Sequence, residues 1–507
     1  MKGSIDMKRV KSISAVLLIL CTLFIYCGCS SDYKDDAGME APNYSLNENA
    51  DIIAGAEDEN KIKENPFVSV SENPVSTFSA DVDTGSYAYI RKLINQGYSL
   101  KELQTYFGGY ARTEEMVNYF SYSYSLPAEN ELFGTNVQIA PCPWNPENRL
   151  MILGLSTVKA APETENNLVF LIDVSGSMSS EDKLELLKKA FSYLVSNLGS
   201  DDRVSIVTYS GKEEVVLEGC EGNKTDKIMD AVNKLDAGGS TNGEAGIKKA
   251  YEIAEKYYIQ GGNNRIIMAS DGDLNVGISS PEELKSLVES KRNQGVYLSV
   301  MGFGTGNYRD SNMETLADNG NGVYYYIDSE TEAEKVFGTD IFSTLYTVAE
   351  DVKLQITFSP DYIKEYRLIG YENRVLSNED FDNDLKDAGE VGAGHTVTVC
   401  YELKPVNTEV GSGEAWFRLA VRYKNPGELQ SELKEYDFGS ESYTETPSED
   451  FKFISAVVQF SMILRESEFL TDDITLETVI ASLDSIKLDD EYKLQFKDLL
   501  KKLSQAE

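Results

Sequence analysis

Between residues 166 and 345, short apolar runs alternate with stretches whose apolar residues return every three or four positions. Leu168–Ile172, Arg203–Tyr209, Arg265–Ala269, Tyr297–Phe303 and Val323–Ile327 read as strands, with Glu214–Leu217 as an edge strand. Runs this short and apolar belong to strands covered on both faces. Helical spacing fills the intervals at Asp182–Asn197, Lys224–Leu235, Gly243–Lys256, Pro281–Arg292 and Glu330–Leu345. The alternation predicts an α/β fold: a doubly wound, mostly parallel, Rossmann-like sheet with right-handed crossovers.

The flanks carry a different pattern. Asn65–Val70, Val75–Asp83, Asn136–Ala140 and Leu150–Leu155 are strand-like, and Tyr87–Gln96 and Thr113–Tyr119 helical. Beyond the α/β segment, Val352–Phe358, His395–Tyr401 and Ala415–Tyr423 return to strand patterning. Helices follow over 449–504, beginning with Phe453, Ala456, Val457, Phe460, Ile463 and Leu464 on one face. Strands on both sides imply that the α/β segment is inserted in, or flanked by, a β-rich body whose two halves pair. The expected division is 1–28 a signal peptide, 29–64 a disordered tether, 65–165 an α+β region, 166–345 the α/β domain, and 346–507 a β-rich then helical domain.

Composition changes the picture in three places. A net charge of −37, from 84 acidic and 47 basic residues, argues against nucleic-acid binding, which needs basic patches. The start is basic at Lys2, Lys8, Arg9 and Lys11, then apolar from Ile13 to Tyr26, short of the roughly 20 residues a spanning helix needs. It ends in Cys27-Gly28-Cys29 and resembles a bacterial lipoprotein signal, which implies lipidation at Cys29, an extracytoplasmic location and membrane contact through the lipid anchor only. Tyr26 departs from that pattern, where a small aliphatic residue is usual; an uncleaved anchor or simple secretion is the alternative. The remaining Cys142, Cys220 and Cys400 are too scattered for a zinc site or a disulfide framework and read as buried thiols. His395 is the one histidine, which argues against His-based metal centres and Ser-His or Cys-His catalysis.

The candidate chemistry lies where the first strand ends. Asp173-x-Ser175-x-Ser177 places a carboxylate and two hydroxyls at the carboxyl end of Leu168–Ile172, where open α/β sheets bind ligands. Arg265–Ala269 runs on to Asp271, and the glycine loop Gly238-Gly-Ser-Thr241 opens a helix. Asp173 and Asp271 belong on neighbouring strand ends, with the Thr241 loop folded over them. Five positions on three segments resemble the metal-ion-dependent adhesion site of von Willebrand factor type A domains. The resemblance implies Ser175, Ser177 and Thr241 as hydroxyl ligands, with Asp173 and Asp271 bound directly or through water. Only two formal negative charges then come from the chain, so the cation keeps its appetite for an outside carboxylate. Hard oxygen donors suit Mg2+ first, with Mn2+ or Ca2+ also admissible. Taken singly, each serine is commoner as a turn or cap residue, and Thr241 with Glu244 also forms a capping box.

The wider chain resembles bacterial von Willebrand type A lipoproteins, through Asn65-Pro-Phe, Thr77–Tyr87, Arg112–Phe120 and Gly392–Thr398. Asp81 and Asp83 within these segments read as strand-end turn caps. The expected function is a non-enzymatic surface lipoprotein that binds a protein or glycan partner, whose acidic residue completes the metal's coordination. One rival is an assembly factor with a merely structural metal. Another is a metal-dependent hydrolase, disfavoured because Ser175 stands where phosphatases of the strand-end-aspartate type need a second aspartate. An EF-hand at Asp271–Glu282 is disfavoured by Val276 in place of glycine.

Overall fold

The computed structural model describes residues 61–159, 164–240, 242–272, 281–304, 311–407, 415–488 and 490–506, all within the compact unit Asp58–Glu507. Its central sheet has six strands in the order Tyr324–Ile327, Val296–Phe303, Asn263–Ser270, Asn166–Asp173, Arg203–Tyr209 and Glu213–Glu221. The first five are parallel; the last, expected as an edge strand, lies at the edge and pairs antiparallel. Every residue of Asn166–Asp173 is buried. The chain leaves this strand toward Arg203–Tyr209 and returns on its other side at Asn263–Ser270. The switch point, and with it the ligand crevice of such sheets, therefore lies between Asp173 and Ser270.

The flanks join as expected. Asn145–Thr157, before the α/β segment, pairs antiparallel with Thr396–Pro405 after it. Val75–Ser79 pairs with Thr347–Phe358, and Val68–Ser69 with Ile363–Ile369. Two five-stranded sheets result, one of them carrying Phe133–Cys142 and the other Gly389–Gly392, Ala415–Lys424 and Glu432–Gly439. Apolar residues of both body sheets and one face of the central sheet share a single core, from Phe78 and Leu153 through Phe170 to Trp416.

Three expectations change. Glu330–Leu345 is not one helix: Glu330–Glu334 gives way to a wide i→i+5 turn at Lys335–Thr339, and Ile341–Leu345 follows. Gly338 and Thr339 within it weaken helical continuity. Glu449–Leu464 is not one-faced; it is buried from Phe453 to Leu464. It forms the axis of a second core with the helices Gly85–Asn95, Thr113–Asn118 and Glu491–Ser504; of its internal serines, Ser455 Oγ donates to Phe451 O at 2.8 Å, and Ser461 Oγ pairs with Thr113 Oγ1 at 2.8 Å. Two short helices, Leu100–Tyr106 and Ser311–Asn319, have too little apolar periodicity to stand out from sequence. Among the described residues, no helix is long and apolar enough to cross a membrane. Cys142, Cys220 and Cys400 are free and buried.

Candidate metal centre

The site begins with an aspartate that shapes its own loop. Asp173 is fully buried, and its Oδ1 accepts the backbone N–H of Ser175 at 2.8 Å, curling the chain as it leaves the strand. Its Oδ2 accepts from Ser270 Oγ at 3.4 Å. The curl brings Ser175 Oγ within 2.9 Å of Ser177 Oγ, the first buried and the second exposed. Mg2+–O distances of about 2.1 Å place neighbouring octahedral ligands about 3.0 Å apart, so the hydroxyl pair has the spacing of one octahedral edge. Burial pushes the Asp173 carboxyl up to about 6, with the Ser175 N–H opposing and the nearby Asp271 charge adding to the rise.

Register supplies the second carboxylate. Ile172 pairs with Ala269, which sets Asp173 level with Ser270 and puts Asp271 just beyond on the neighbouring strand. Asp271 accepts a bond from Lys183 Nζ at 2.8 Å. The glycine loop docks on the first loop through its backbone: Gly238 N–H donates to Val174 O at 2.7 Å and Gly176 N–H to Gly239 O at 3.1 Å. Gly239 has φ +92°, a conformation that favours glycine. Thr241 lies outside the described residues, as do Cys29 and Asp273–Ser280. Asp173, Ser175, Ser177 and Asp271 come together as the sequence predicts.

Local capping differs from expectation. The cap of helix Gly243–Lys256 is Asn242, whose side chain accepts from Ala245 N–H, one residue beyond Thr241. Ser180 precedes a wide turn, Glu181–Glu185, and its hydroxyl donates to Asp182 Oδ1 at 2.6 Å. Among the described residues no group of three or more Asp, Glu, His or Cys side chains is arranged to hold a metal ion by itself. The donors here are two carboxylates and hydroxyls, a weakly charged oxygen set that a hard divalent cation can use.

Sequence reasoning undervalued a second polar cluster. Asp83 N–H donates to Asp81 Oδ1 at 3.2 Å, the turn cap expected. Both carboxylates also face Arg374, at 3.3 and 3.6 Å, and Arg374 reaches Asp318 of the α/β segment at 3.1 Å. Tyr324 N–H donates to Asp83 Oδ1 at 3.1 Å. Arg112 bonds Glu115 at 2.9 Å and also pairs with Glu314. Burial lifts the neighbouring Glu114 to about 8. Part of the signal was present, because Asp81, Asp83, Arg112, Glu114 and Glu115 fall in the Thr77–Tyr87 and Arg112–Phe120 segments that carry the wider resemblance, whereas Glu314, Asp318 and Arg374 lie outside them. His395 is a half-buried turn residue of the body: its Nδ1 accepts Gly392 N–H at 3.1 Å, and desolvation lowers it to about 4.

Residues 167–339 match the family described as von Willebrand factor type A domain, residues 54–152 that described as von Willebrand factor, and residues 343–506 the C-terminal region of Uncharacterized protein YfbK. Uncharacterized protein YfbK of Escherichia coli (strain K12) is 41% identical over 436 residues, covering 81% of this chain and 74% of that one. Inter-alpha-trypsin inhibitor heavy chain H3 of Homo sapiens is 27% identical over 199 residues, covering 37% of this chain and 22% of that protein. Among solved structures, von Willebrand factor type A from Catenulispora acidiphila aligns with a TM-score of 0.41 and 16% identity, over 76% of this chain and 89% of that one. Proximal thread matrix protein 1 from the mussel byssus, described with a zinc-occupied MIDAS motif, aligns with a TM-score of 0.30 and 23% identity, over 36% and 46%. Identity and coverage with the Escherichia coli protein span the body as well as the central sheet, and the chain belongs to the YfbK family of von Willebrand factor type A domain proteins.

Proposed function

We propose that this protein is a non-enzymatic, lipid-anchored, extracytoplasmic binding module. It engages a protein or glycan partner through a divalent cation, Mg2+ foremost, held by Asp173, Ser175, Ser177, Thr241 and Asp271. The observation that carries the reading is the Ser175–Ser177 hydroxyl pair, 2.9 Å apart beside buried Asp173 at the sheet's switch point. With few formal charges on the chain, a bound cation supplies Lewis acidity toward an acidic group of the partner. The chain's own part is to orient its oxygens and leave Ser177 at the solvent edge.

The test is calorimetric titration of Mg2+, Mn2+ and Ca2+ into wild type and Asp173→Ala. One-site binding lost in the variant, with unfolding behaviour retained, supports the reading; binding that survives the substitution overturns it. The cluster that ties Arg374 of the body to Asp318 of the central domain favours a second reading, an assembly factor whose cation only stabilises the fold. Pull-downs in Mg2+ and in EDTA separate the two, since the second reading expects the same partners in both.

A further inference from the structure

The metal-site loops contain a cation of their own. Lys183 Nζ donates to Asp271 Oδ2 at 2.8 Å and to Ser177 O at 3.0 Å, so it bridges two of the site's three segments. The pair is largely withdrawn from water, with side-chain exposures of 16% for Lys183 and 3% for Asp271. Two features hold the ammonium there.

The first is Gly304, at the end of the adjoining strand Val296–Phe303. It has φ +82°, and a Cβ there would lie 2.2 Å from Lys183 Cε. The lysine stem crosses a place kept bare of side chain. The second is the wide turn Glu181–Glu185 on which Lys183 sits, a geometry frequent at functional sites. This turn is fastened to the body, because Lys92 of helix Gly85–Asn95 donates to Asp182 Oδ2 at 2.8 Å. The body helix thus fixes the residue next to the one that reaches the site.

We infer that Lys183 is a built-in counter-cation of the metal centre, shared with the divalent ion through Asp271 and held in register by Gly304 and the Lys92–Asp182 pair. The inference rests on the proposed reading of the site. Lys183 is a positioning residue and not a ligand. Its charge opposes entry of a second cation, weakening divalent affinity, while adding to the positive potential that meets an acidic partner group. Screened to the dielectric of water, about 80, a unit charge roughly 6 Å from a divalent cation changes its affinity by about tenfold.

The experiment titrates Mg2+ and Mn2+ calorimetrically into the full chain as wild type, Lys183→Met, Lys183→Arg, Gly304→Ala and Asp173→Ala. Lys183→Met is expected to bind about tenfold more tightly at unchanged stoichiometry, and Lys183→Arg to stay within about twofold of wild type. Gly304→Ala, which evicts the lysine stem, is expected to shift affinity in the same direction as Lys183→Met. A merely structural lysine would weaken binding on removal, so equal or weaker binding by Lys183→Met overturns the inference while the site itself stands. Wild-type binding that Asp173→Ala leaves intact, or no binding by wild type and Lys183→Met alike, overturns the site and the inference together. Thermal unfolding in EDTA and in Mg2+ gives a second readout: the Mg2+-induced rise in midpoint is expected to be larger in Lys183→Met than in wild type.

Discussion

Asp173 shows how one residue sets stability against binding. Its carboxyl rises from 3.8 in the unfolded chain to about 6 in the fold, chiefly through burial. The stability associated with its protonated form is fully present below pH 3.8 and lost as pH climbs through 6, at a cost of up to about 3 kcal/mol. Asp173→Asn removes that cost. In EDTA at pH 7 the variant is expected to unfold at a higher denaturant midpoint than wild type, by about 2 kcal/mol, and to lose divalent binding. A midpoint at or below wild type in EDTA counts against the argument. The same ionisation makes cation binding release a proton below pH 6, so affinity should fall as pH drops from 7 to 5. Asp173, Ser175, Ser177 and Asp271 were legible in the sequence because strand ends and a two-residue serine spacing place their oxygens. Lys183 was not, because its role depends on a partner 88 residues away and on the missing side chain of Gly304.

At the scale of elements, the central strands were readable because burial on both faces demands uninterrupted apolar residues, and Arg203–Tyr209 matches its expected bounds. Glu449–Leu464 was readable as a helix, but its surroundings were not. Its few polar residues mimic an exposed face, yet Gln459 and Ser461 are buried and Ser461 Oγ lies 2.8 Å from Thr113 Oγ1. Phe460 is fully buried, with its ring centroid 5.8 Å from that of Phe496. Phe460→Ala is expected to cost about 3–5 kcal/mol in urea unfolding while leaving divalent affinity unchanged in the folded protein. A cost under about 1 kcal/mol would remove this helix from the core.

At the scale of the whole molecule, Arg374 joins body to central domain at 3.1 Å from Asp318 and 3.3 Å from Asp81. Removing one partner of a buried ion pair strands the other charge. Arg374→Met is expected to destabilise by about 3 kcal/mol, and adding Asp81→Asn to recover part of that loss, a coupling that a double-mutant cycle measures directly. Strictly additive effects would mean that Arg374 and Asp81 are not coupled, and the same cycle with Asp318→Asn reads the joint to the central domain. Calorimetry on Arg374→Met also tests communication. The Lys92–Asp182 contact reaches the metal loop from the body independently of Arg374, so divalent affinity is expected to hold.

The central strands, the helices between them and the two carboxylates at strand ends follow from local rules. Apolar runs choose buried strands, alternation chooses parallel crossovers, and switch points choose where ligands go. Three features required the packed chain: the ammonium of Lys183 beside Asp271, the burial of Glu449–Leu464 on nearly every side, and the ionic joint around Arg374. Each depends on charges or apolar faces far apart in sequence, whose energies arise only once folding removes the water between them.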